Sequence, residues 1–62
     1  MQIPNNYMAQ IKALTVGGGK VIIPFEAISE DQRPEKETIV GGQRSQWLFK
    51  PTPEGFEVTR VK

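Results

Sequence analysis

The chain is 62 residues long and carries eight Lys/Arg against seven Asp/Glu, with no Cys and no His. This length supports one domain, whose folding buries about 60% of the surface that the unfolded chain exposes. Without Cys or His there is no disulfide, no zinc site of the usual ligand set, no thiol nucleophile and no imidazole base. A formal charge of +1 also speaks against a non-specific DNA binder, which carries a clear basic excess.

Residues 1–6 contain Pro4 and the polar pair Asn5-Asn6, and read as a flexible lead-in to a single domain over residues 7–62. From Tyr7 the chain alternates: Tyr7, Ala9, Ile11 and Ala13 against Met8, Gln10, Lys12 and Leu14. Period two predicts a first strand. Gly17-Gly18-Gly19 separates it from Lys20–Phe25, a run rich in β-branched residues, so the pair reads as a hairpin. Pro24 has no N–H to give a ladder, so this second strand either ends there or lies at an edge.

Ser29-Glu30-Asp31-Gln32 has the spacing of a capping box. Pro34 follows closely, and Gln32–Glu37 has no apolar stripe, which limits any helix to one turn before a loop and a short strand at residues 37–40. Gln46–Lys50 and Phe56–Val61 are strand-like, and Pro51-Thr52-Pro53-Glu54-Gly55 between them is turn chemistry. The expected fold is mostly β: a small antiparallel sheet or open barrel of two hairpins with at most one short helical turn, a β-rich α+β domain being the alternative. Its core would hold Ile11, Val21, Ile23, Trp47, Phe49, Phe56 and Val58.

Little in this pattern suggests catalysis. The carboxylates lie mostly in a loop among Lys and Arg, without the apolar surroundings that raise a carboxyl pKa for acid–base work. Gly17-Gly18-Gly19-Lys20 lacks phosphate-loop spacing, because Val21 stands where a hydroxyl should be and a strand follows instead of a helix. Trp47, Phe49 and Phe56 could stack on bases, but so short a chain needs them for its core. The expectation is a binding protein, not an enzyme, with no cofactor and no metal.

The candidate partner-binding residues lie on the last strand. Arg60 and Lys62 are two apart and share a face if the strand persists, offering cations to an acidic surface or to nucleic acid. Their plainer role is to guard a sheet edge against aggregation.

The stretch Trp47–Lys62, and above all Gly55-Phe56-Glu57-Val58-Thr59-Arg60-Val61 with the basic residue after it, resembles the end of the small RNA polymerase inhibitor (gene 2 protein) family of T-seven-type bacteriophages. That resemblance covers about a quarter of the chain. It implies an inhibitor that binds the largest subunit of bacterial RNA polymerase and blocks transcription by occlusion. Arg60 and Lys62 would then be the gripping cations, with Glu57 and Thr59 beside them. The family has a regular helix ahead of its Trp strand, which Pro34, Gly41 and Gly42 do not favour here, and a family glutamate falls on Ile22.

Gly19–Ile28 is similar to an element of swapped-hairpin transcription factors and antitoxins, which implies a DNA-binding dimer as the alternative. An accessory subunit of a larger complex is a third reading. No apolar run approaches the ~18 residues of a membrane span. The expected molecule is thus a soluble, cytoplasmic monomer with a protein partner, nucleic acid being less favoured.

Overall fold

The computed structural model describes residues 2–62. The elements are α1 (Asn5–Lys12), β1 (Lys20–Ile23), two 3₁₀ turns (Phe25–Ala27 and Glu30–Gln32), β2 (Thr38–Gly41), β3 (Gln46–Thr52) and β4 (Gly55–Arg60). The strands form one antiparallel sheet in the order β1-β4-β3-β2. Strands β2, β3 and β4 follow one another as hairpins, and β1 lies beside β4, so the order is that of a Greek key. The mostly β, antiparallel architecture is therefore the expected one, in its α+β form. Of the expected lead-in, Met1 lies outside the described residues, and α1 already begins at Asn5.

Tyr7–Leu14, expected as a strand, departs from expectation: Tyr7–Lys12 lies in α1 and Ala13-Leu14 follow its end, so there is no strand and hence no first hairpin. Pro4 sits at the N-cap position and its carbonyl accepts from the N–H groups of Tyr7 and Met8 at 3.0 and 2.9 Å. Ile3, Tyr7, Ile11 and Leu14 fall at helical spacing, and Ile11 and Leu14 are buried while Ile3 and Tyr7 pack against the core. The alternation rested on Ala9 and Ala13, both exposed. Alanine is the best helix former and carries no face of its own. Leu14, placed on the wet side by period two, is a core residue.

The other turns and strands lie close to where sequence puts them. β1 stops before Pro24 and is also an edge strand. Ser29 precedes the second 3₁₀ turn, although its side chain makes no capping bond. β3 runs on through Pro51, which pairs with Phe56. Proline is tolerated there because its missing N–H faces the side on which β2 has already ended, opposite Phe49. The turn shrinks to Pro53-Glu54, closed by the Thr52 hydroxyl donating to the Gly55 carbonyl at 2.8 Å.

Ile11, Leu14, Ile23, Ile28, Phe49, Phe56 and Val58 form the buried core, between α1 and one face of the sheet. Val21 and Trp47, expected inside, are half-buried against it. Phe25 packs edge-on to Phe56, with centroids 5.0 Å apart. Arg33 fastens this crossover: its Nε donates to the carbonyls of Phe25 and Ile28, both at 2.9 Å, and its guanidinium lies 5.9 Å from the Phe25 ring centroid.

Gly55 is where the β3–β4 turn meets β1. Its φ is 141°, and a Cβ there would run into the Ile23 carbonyl oxygen. Gly55→Ala should lower the unfolding free energy by more than about 1 kcal/mol, read by urea denaturation followed through Trp47 fluorescence. Ala9→Gly, on the exposed side of α1, should cost about 1 kcal/mol. An unchanged midpoint in that variant would contradict the helical assignment.

Candidate partner-binding surface

Residue parity divides the three candidate residues of β4, Glu57, Thr59 and Arg60, between two faces of the sheet. In β4, Phe56, Val58 and Arg60 face the core side, opposite Pro51, Phe49 and Trp47 of β3. Glu57 and Thr59 face the other way. Glu57 stands between Ile22 and Lys50, and Thr59 between Lys20 and Leu48. The sheet thus brings Glu57 and Thr59 together but separates them from Arg60, and Lys62 lies past the end of β4.

Arg60 is not a free cation. Its Nη1 donates to the Leu14 carbonyl at 3.1 Å, its Nη2 to the Ser45 hydroxyl at 3.2 Å, and its Nε to the Lys62 carbonyl at 2.9 Å. The guanidinium carbon lies 5.8 Å from the centre of the Trp47 ring. Beside it, the Trp47 indole N–H donates to the Ile11 carbonyl at 3.0 Å. These two side chains of neighbouring strands tie down the end of α1, the segment after it and the β2–β3 loop. A charged donor suits the carbonyl-rich end of a helix.

Lys62 lies beyond β4. The backbone there stays registered on β3, the Lys62 carbonyl accepting from the Gln46 N–H at 3.1 Å. Its side chain is exposed and enters no hydrogen bond or ion pair among the described residues. Glu57 is paired with Lys20 at 3.1 Å, its side chain 24% exposed. Lys50 and Glu37 form a looser pair at 4.0 Å.

The face bearing Glu57 and Thr59 also carries Lys20, Ile22, Ile39, Leu48 and Lys50. All of these are half-buried or exposed. The apolar side chains there form a row of Leu48 and Ile39 opposite one another, with Ile22 one row away. Sequence reasoning named only Glu57 and Thr59 of this face, although alternation along the four strands assigns the others once the core side is known. A shallow pocket of about 490 Å³ on the far side is lined by Gln2, Ile3, Pro4, Met8, Ala27 and Ser29, none of them charged. Among the described residues no cluster of three His, Cys, Asp or Glu could hold a metal ion, and no helix is long and apolar enough to cross a membrane.

Gly19–Ile28 contains β1 and the first 3₁₀ turn, and β1 pairs with β4 of its own chain. No protein-family model matches the chain, and neither a curated protein nor a solved structure matches it.

Arg60→Ala should destabilise the fold by about 2–3 kcal/mol, since it removes charge-assisted bonds to two partly buried acceptors. Urea denaturation checks this. A loss below about 0.5 kcal/mol, the range of ordinary surface changes, would mean that the guanidinium holds nothing together.

Proposed function

We propose that this chain is a phage-encoded binding protein that attaches to bacterial RNA polymerase and inhibits transcription by occlusion. The observation that carries the reading is the resemblance of the Gly55–Lys62 run to the phage inhibitor family. That run forms β4 and its continuation, in the middle of the sheet and at its exposed end. Lys62 supplies the accessible cation, while Glu57 and Thr59 add a polar patch on the open face. Arg60 contributes by holding the strand end and the Lys62 backbone in place. Its two remaining N–H donors are left to meet a carboxylate.

A domain this small would act by sitting where DNA or a moving polymerase element must pass, without chemistry of its own. Opposite charges across such a contact steer and orient binding more than they deepen it.

The test is binding of the purified protein to purified bacterial RNA polymerase, alongside transcription from a single promoter. Wild-type protein should bind and inhibit. Lys62→Glu should weaken binding at least about tenfold, roughly 1.4 kcal/mol, with no change in the unfolding midpoint. Absence of polymerase binding by the wild-type chain would refute the function. Unaltered binding by Lys62→Glu would refute the site.

A further inference from the structure

The sheet has two edges of unlike character. β1 carries Lys20 and stops at Pro24, both of which discourage pairing with another strand. β2 has no such guard. It reads Thr38-Ile39-Val40-Gly41, without a charge or a proline, and Ile39 and Val40 are 60% and 38% exposed.

The free backbone groups of β2 can be identified from its neighbour. Gln46 of β3 donates its N–H to the Lys62 carbonyl and accepts from the Val61 N–H at 2.9 Å. Its backbone groups therefore face β4. In an antiparallel ladder the residue opposite, Gly41, must then turn its own N–H and carbonyl away, toward the open edge. Ile39, two residues earlier, does the same, while Thr38 and Val40 bond inward to β3.

We propose that β2 pairs antiparallel with β2 of a second copy of this chain, about a two-fold axis at Val40, joining two four-stranded sheets into one. In this register Ile39 of each copy meets Gly41 of the other, and the four outward-facing backbone groups on each side are satisfied reciprocally. The pairing is also sterically self-complementary. Ile39 lies over a glycine, which offers no side chain to collide with. On the core side the two Val40 side chains meet as a close, non-hydrogen-bonded pair. Trp47 flanks Val40 in each copy, so the row runs Trp47, Val40, Val40, Trp47.

The flanks agree in charge. Glu35-Lys36-Glu37 precedes β2 with net charge −1, and Arg44 follows it with +1. Antiparallel pairing sets the Glu35–Glu37 flank of one copy toward the Arg44 flank of the other, with Lys36 nearest Arg44 and the two glutamates on either side of it. A four-residue edge is a small contact, at the weak end of specific interfaces, so association belongs at high micromolar concentration.

Sedimentation equilibrium between about 10 µM and about 1 mM, the range of a small interface, should show a monomer approaching twice its mass. Amide exchange at Ile39 and Gly41 should slow as concentration rises. Ile39→Lys and Val40→Lys should each move association to at least about tenfold higher concentration. A chain still monomeric at about 1 mM overturns the proposal, as does a dimer whose Ile39 and Gly41 amides exchange as in the monomer. Sensitivity to Ile39→Lys alone also overturns it, because the contact would then lie on the open face. Should either variant fail to fold, exchange in the wild-type chain decides.

Discussion

The fold depends on how one short helix is held to one small sheet, and the holding is done by Trp47 and Arg60. An eight-residue helix is too short to be stable alone in water. Its apolar stripe is narrow, and its last carbonyls have no partner within the helix. Trp47 and Arg60, opposite each other on β3 and β4, donate to the Ile11 and Leu14 carbonyls. The cation also lies over the indole ring. Trp47 thus bonds the last turn of the helix and Arg60 the segment just after it, and both bonds seat α1 on the sheet.

Arg33 repeats the device at the other end of the core. Its Nε serves two carbonyls of the crossover while its guanidinium lies over Phe25, which in turn abuts Phe56. A domain without cysteine must fix irregular segments by means other than disulfides. Here planar guanidinium groups do it, combining directional donors with a flat apolar-tolerant face. The crossover from β1 to β2 spans the sheet from one edge to the other, and Arg33 is what keeps its middle folded inward on Ile28.

The sheet was legible in the sequence because its strands are bounded by residues with fixed backbone consequences. Pro24 ends β1, Pro53 and Gly55 frame the last turn, and Trp47, Phe49, Phe56 and Val58 keep period two on both sides of it. The helix was not legible because alanine satisfies both periods. Ala9 and Ala13 completed an apparent alternation, and Leu14 was assigned to the face that period two demanded. The site was half legible. Parity put Arg60 and Lys62 on one side only if the strand persisted, and β4 ends at Arg60; parity also cannot say whether the Arg60 side is solvent or core. Near Trp47 it is core, and Arg60 is occupied by acceptors from Leu14 and Ser45, distant in sequence and invisible to any local pattern.

The separation of surfaces has a consequence for how the molecule works. Pairing at the β2 edge would use the backbone of Ile39 and Gly41 and the side chain of Val40. The polar patch of Glu57 and Thr59 lies two strands away, and Lys62 lies beside Gln46, on the β4 side of β3. Neither is covered by a strand added at β2. Self-association and partner binding therefore need not compete for the same residues. A two-fold assembly would instead present two copies of the Lys62 end on one extended sheet. The effective local concentration of the second copy rises once the first is bound, without any new contact. A weak edge and a modest charged patch would reinforce one another in that arrangement. The condition is that a partner offer two acidic surfaces at the spacing set by the joined sheets.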